Sequence, residues 1–267
     1  MPNSAADSLE RPGPLWNGWS KAPFRAFKGI SWLRATRLFA GSIPKFYDTL
    51  MVPLIFEAYA ANMAELVAAF SPGAVLETAA GSGAVTRALA PKLKPDAHYV
   101  VTDLNQPMLD YATTRQGFDG RIEWRQADAL TLPFEDASFD VVCCQFGAMF
   151  FPNRVAGYAE ASPTPSPQYF RTVRRVLRPG GRFVFSVWDR IEENAFADDH
   201  EEVSRSPSAR DAATAYCQGT PLRNEIEARD ASLLQIATDR ASQAIASRHG
   251  EGPVAGKIQA HVIVAAG

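Results

Sequence analysis

The chain has few cysteines, only Cys143, Cys144 and Cys217, and two of them are neighbours. Adjacent residues of an extended strand point to opposite faces, so Cys143 and Cys144 are badly placed to pair. No Cys-x-x-Cys or His-x-x-x-His spacing links the cysteines with His98, His200, His249 and His261. A disulfide framework and a metal site are therefore both unsupported, and a reducing, cytoplasmic setting is expected. Excess charge of one sign is lacking too: the formal net charge is -2, which gives no reason to expect nucleic acid as a partner. No uninterrupted apolar run reaches the length of about 18 residues that would span a bilayer. The nearest, residues 52–70, contains Glu57, Asn62 and Glu65. The first residues lack a compact apolar segment, so no secretory signal is expected.

The small total charge hides an asymmetry. Residues 1–40 carry six basic side chains against Asp7 and Glu10, a net of +4, which leaves about -6 for the rest. Residues 1–20 are rich in Pro, Gly, Ser and Asn and read as disordered. Between Ser20 and Ala40, cations alternate with Phe24, Phe27, Ile30, Trp32 and Leu33. Three readings stay open for residues 20–40: a basic amphipathic segment on a membrane surface, a helix packed on the domain, or a transit-like leader. The expected organisation is an extension over residues 1–40 and one domain over residues 41–267.

From Pro53 a helix is readable, because Ile55, Tyr59, Met63, Leu66 and Phe70 recur at helical spacing. Ser71-Pro72-Gly73 ends it. Strands are then predicted at 74–78, 99–103, 122–126, 139–146 and 182–188. Helical stretches lie between them, including 85–89 and 107–113. Runs such as Phe183-Val184-Phe185 suit strands buried on both faces. The alternation predicts an α/β fold, a doubly wound and mostly parallel sheet with right-handed crossovers. Three prolines over residues 161–167 read as an extended loop. Helix is expected again from about Tyr169, then from Asn224 to His249, with a closing strand at 259–264.

Val75-Leu76-Glu77-Thr78-Ala79-Ala80-Gly81-Ser82-Gly83 is a strand entering a turn of small residues and then a helix. Such glycines let backbone approach a ligand that a Cβ would strike. The following helix aims free N–H groups toward the turn. Asp103 ends the next strand, about 20 residues on, where a carboxylate can accept both hydroxyls of a ribose. To this point a dinucleotide and an adenosyl cofactor remain equally open.

Three further segments discriminate: Arg125-Gln126-Ala127-Asp128-Ala129, the run from Leu132-Pro133-Phe134 through Ser138-Phe139-Asp140 to Val142, and Arg175-Val176-Leu177-Arg178-Pro179-Gly180-Gly181-Arg182. Together with the first turn, in this order across residues 74–188, they resemble the class I S-adenosylmethionine (SAM)-dependent methyltransferases of the type-11, ubiquinone/menaquinone-biosynthesis-like group. The resemblance implies a Rossmann-like sheet and SAM as cofactor. It also implies roles. Glu77 would orient the turn and meet the methionine end through water or backbone, and Ala79, Gly81 and Gly83 would line the methionyl side. Asp103 would hold the ribose with Leu104 against the adenine. Asp128 and Ala129 would meet the adenine edge, and Gln145 and Phe146 would border the transferred methyl. Tyr47 would close over the cofactor. Asp136 and Asp140 read as turn caps.

Two departures stand out. Ala79 replaces the first glycine of the pattern and is expected to be tolerated at negative φ. Residues 190–220 are short and polar, so the cap and strand six read as abbreviated, with strand six open to being missing. The leading expectation is an enzyme that transfers methyl to a small-molecule acceptor. The alternative is a SAM-binding or inactive relative with a degraded substrate site. An NAD(P)-dependent oxidoreductase is disfavoured, because the turn is not G-x-G-x-x-G and no Tyr-xxx-Lys pair is visible. No catalytic base or acceptor identity follows from the sequence.

Overall fold

The computed structural model of the chain describes residues 39–151, 167–188 and 199–266. The expectations for residues 1–38, including membrane contact, and for the proline-rich stretch 161–166 lie outside the described residues. So does the segment after Trp188 where a cap was expected.

Seven strands form one sheet in the order β3-β2-β1-β4-β5-β7-β6. They are β1 (Ala74–Glu77), β2 (His98–Asp103), β3 (Ile122–Gln126), β4 (Phe139–Gln145), β5 (Leu177–Trp188), β6 (Asp199–Ser206) and β7 (Val254–Ala266). The first five are parallel; β7 runs antiparallel to both β5 and β6. Strand order reverses between β1 and β4, the switch point where doubly wound sheets open a crevice at the carboxyl ends of their strands. All four residues of β1 are buried, as a central strand covered on both faces requires. Val75 joins the layer of Met63, Leu89, Tyr99 and Leu109, while Leu76 joins Val142, Tyr169, Phe183 and Phe185 on the other face.

Helix α1 spans Ile43–Ala69, ten residues earlier than the pattern from Pro53 predicts. The difference has a backbone cause. Over Tyr47–Phe56 the helix is wound wider than an α-helix, and the Glu57 N–H donates five residues back to Val52 O. Pro53 has no N–H to place, so this looser winding accommodates it. Buried Ile43, Met51, Val52, Leu54 and Ile55 hold the segment by tertiary packing. Among the described residues α1 is the one helix long and apolar enough to cross a membrane by length and composition, and half of its apolar window is buried inside the fold.

The other helices are α2 (Ala84–Leu89), α3 (Gln106–Gln116), α4 (Pro167–Val176), α5 (Ala209–Gln218), α6 (Leu222–Arg229) and α7 (Leu233–His249). The helix expected over 224–249 is thus two. Asp230 breaks it by accepting from the N–H and hydroxyl of Ser232, a local turn that competes with helix.

Strand six, which the sequence left open to being missing, is present over Asp199–Ser206. Its polar sequence suits the sheet edge, where it pairs with β7 alone and Val203 stays exposed. A period-two hydrophobic signal fails there because there is little to bury. Ser208 then opens α5 by accepting from the Asp211 N–H.

Candidate active site

The turn after β1 is built on left-handed backbone. Ala79, Gly81 and Gly83 have φ of 55°, 57° and 80°. The condition of negative φ at Ala79 is therefore not met: alanine occupies a conformation that costs a non-glycine residue about 1–2 kcal/mol. The sheet makes room for it. A Cβ at position 147 would lie 2.4 Å from the Ala79 methyl, so Gly147 supplies the space that this methyl fills. Hydrogen bonds lock the turn, from Thr78 N to Cys143 O, Ala80 N to Thr102 O and Gly83 N to Ala80 O.

Asp103 governs the turn from β2. Its Oδ2 accepts the Gly81 N–H at 2.9 Å and its Oδ1 accepts the Asn105 N–H at 2.7 Å. Burial pushes its carboxyl up, and the donated N–H bonds oppose that shift. Glu77, 2% exposed, accepts from Thr86 Oγ1 at 2.8 Å and from the Tyr99 hydroxyl. Burial pushes Glu77 from its ordinary 4.5 up to about 7 against those bonds.

A narrow cleft opens at this switch point, lined among others by Tyr47, Phe56, Glu77, Ala79, Gly81 and Gln145. Gln145 Nε2 donates to the Phe56 carbonyl at 3.2 Å. A carbonyl only accepts, so the amide orientation is fixed and Oε1 faces the other way, buried and without a protein partner. Tyr47 stacks on Phe56 at 5.4 Å, with a ring edge 3.9 Å from the point where a Cβ of residue 81 would stand. Burial and the Asp103 carboxylate push its phenol up, so it stays protonated at neutral pH.

The remaining candidates lie outside the lining of this cleft. Asp128 adjoins Asp103 through the Ala127 N–H bond to Asp103 O, and its oxygens accept from Leu130 N and Thr131 Oγ1. Leu104 is partly buried. The Ala129 methyl packs into the core, and the space above Gly83 is taken by Ala112, 3.1 Å from a Cβ there. Phe146, at φ 55°, turns away from the cleft into an aromatic cluster. It stacks on Trp188 at 4.0 Å and meets Tyr59 edge-on at 5.3 Å. Asp140 is a turn cap as read: it accepts from Gly73 N and Ala74 N and pairs with Arg178 at 2.7 Å. His98 begins β2 at the opposite end of the sheet. Burial pushes the Cys143 and Cys144 thiols up, away from the thiolate form.

Sequence reasoning missed Asp48. It is 4% exposed and accepts from Arg87 Nη2 at 2.6 Å, Arg115 Nε at 2.8 Å and Ser82 Oγ at 3.0 Å. The available signal was a carboxylate inside an apolar helical stretch, since aspartate is seldom buried unless paired.

A doubly wound sheet with a left-handed small-residue turn at its switch point and an acidic end to β2 defines a nucleoside-cofactor fold. Residues 76–185 match the family described as Methyltransferase domain. The demethylmenaquinone methyltransferase of Clavibacter sepedonicus is 37% identical over 110 residues, 41% of this chain and 39% of the relative. The ubiquinone/menaquinone biosynthesis C-methyltransferase UbiE of Ectopseudomonas mendocina (strain ymp) is 35% identical over 113 residues, 41% of this chain and 40% of the relative. The matches thus span about two fifths of these curated relatives. A solved Bacillus halodurans C-125 structure assigned as a methyltransferase is alike in fold, with TM-score 0.50 and 18% identity over 77% of this chain and 97% of that one. Residues 76–185 are thus similar in sequence to methyltransferases, and the chain is similar in fold to a solved structure of that kind.

Proposed function

We propose that this chain transfers the methyl of SAM to a small-molecule acceptor with a planar apolar part. One observation carries the reading: the switch-point cleft is lined by the left-handed turn, whose Gly81 N–H the buried Asp103 carboxylate accepts, and by Gln145 with its unpartnered buried acceptor Oε1. The residues fit such a cofactor. An ionised carboxylate offers about four lone-pair sites, so Asp103 can accept ribose hydroxyls while keeping its bonds to Gly81 and Asn105. On this reading Leu104 and Asp128 would meet the adenine, and Glu77, Ala79 and Gly81 the aminoacyl end. When bound, the cofactor supplies a methyl already activated by its sulfonium, and transfer then depends on in-line alignment.

The acceptor side is aromatic. Phe56 lines the cleft and leads behind it into an aromatic cluster, 5.6 Å from Phe146 and 6.1 Å from Trp188. A planar apolar molecule would pack against Phe56 at little polar cost. The quinone substrates implied by the relatives' names suit such packing. A cytoplasmic location belongs to the same proposal.

A second reading, cofactor binding without transfer, has its own support. Phe146 and Trp188 stack directly on each other, leaving no slot for an acceptor between them. Calorimetric titration with SAM, S-adenosylhomocysteine and NAD tests the first step. Binding of the first two and not of NAD is expected; NAD binding alone would overturn the proposal. Methyl release to a quinone or phenol panel then separates the two readings.

A further inference from the structure

We infer that Asp48 is a positioning residue that latches the start of α1 across the cofactor cleft, so that ligand exchange requires its ion pairs to break. The inference rests on the proposed function and concerns how the same cleft opens and shuts. One wall of that cleft is α1 itself, through Tyr47, Val52 and Phe56. With that wall in place Tyr47 lies against the Gly81 turn, over the ground a bound nucleoside must cross.

Asp48 is the residue that fastens the wall. Its two oxygens reach three separate elements: Ser82 of the turn, Arg87 of α2 and Arg115 of α3. Arg87 also donates to Ser82 O at 2.6 Å, so turn, helix and latch form one connected set. On the other side α5 abuts the same point. A Cβ on Gly219 would lie 3.2 Å from both Phe46 C and Tyr47 N, and glycine there lets the two backbones meet. The wide winding over Tyr47–Phe56, with Pro53 inside it, gives the segment a softer helix than the regular turns after Glu57. A rigid body, a soft stretch and a buried multi-partner contact beside Tyr47 make a latched wall.

A buried carboxylate with two cationic partners holds firmly, and removing its charge leaves those partners uncompensated. In Asp48→Asn, S-adenosylhomocysteine release measured by stopped flow should quicken about tenfold or more. Amide hydrogen exchange of residues 43–56 should quicken in the ligand-free protein, with β1 and β2 unchanged. Should Asp48→Asn not fold, Arg115→Gln serves; that side chain is 52% exposed and its loss should act in the same direction with smaller size. Unchanged release rates and unchanged exchange over 43–56 in a folded variant overturn the latch. A wild-type chain that binds no adenosyl ligand sinks the proposed function instead, and the exchange measurement still decides the latch.

Discussion

The two sides of the switch point solve the same problem with opposite chemistry. On the β1–β2 side, polar groups converge: Glu77, Asp103, Asn105 and the Gly81 N–H are held by hydrogen bonds within a buried setting. On the β4–β5 side, Phe146, Trp188, Tyr59 and Phe56 hold one another by stacking and edge contacts. Both halves place a non-glycine residue in left-handed backbone at a strand's carboxyl end, Ala79 after β1 and Phe146 after β4. Strain of that kind persists only where the surroundings over-determine it. The difference teaches which half should answer to which change: charge and hydrogen bonding should govern the cofactor, and ring packing should govern the acceptor and the fold.

The largest expected effect falls on the polar half. Asp103→Ala removes a carboxylate that would bind two hydroxyls, and at about 1.5–3 kcal/mol per charged hydrogen bond SAM affinity should fall about a thousandfold. Calorimetry checks it, with circular dichroism confirming the fold; unchanged affinity would remove Asp103 from the site.

Glu77 comes next, through pH. Its carboxyl ionises near 7 when folded and near 4.5 when unfolded, so the folded chain binds the extra proton between those values. The stabilisation is complete below the unfolded value and is lost as pH rises toward and through 7, about 3 kcal/mol in all. Glu77→Gln should flatten that slope, leaving the variant more stable than the parent at pH 8. Urea melts at pH 5 and pH 8 test this, and parallel pH dependence in both proteins would assign the slope elsewhere.

The aromatic half should respond differently. Trp188→Ala takes away a ring stacked at 4.0 Å on Phe146. It should lower stability by about 2 kcal/mol, less than for a wholly buried tryptophan, while S-adenosylhomocysteine affinity stays within about threefold. An affinity loss as large as that of Asp103→Ala would end the division of labour between the halves. The smallest effect is at Ala79, where Ala79→Gly relieves a φ of 55° but loses the methyl packed over Gly147. A net gain of about 0.5–1 kcal/mol in thermal melts is expected.

The polar half was legible because its chemistry is local. Glu77, the turn at 79–83 and Asp103 sit at strand ends that hydrophobic runs mark out, and each of the first five strands lies where the alternation puts it. Phe146 was found as a residue but not as a cluster member, because its partners Tyr59 and Trp188 come from distant segments. Asp48 was missed for the same reason: its partners lie 34, 39 and 67 residues away. β6 escaped because an edge strand needs no apolar face, and the start of α1 escaped because wide winding breaks the usual spacing. Tertiary context decided each of these.

The place of β7 has a consequence for the order in which the chain can be assembled. β7 lies between β5 and β6, and β6 has its sheet partner only on that side. Residues 199–206 therefore emerge from the ribosome with nothing to pair against until residues 254–266 follow. A chain stopped before Val254 would leave β6 without a partner and the flank of β5 open to other molecules.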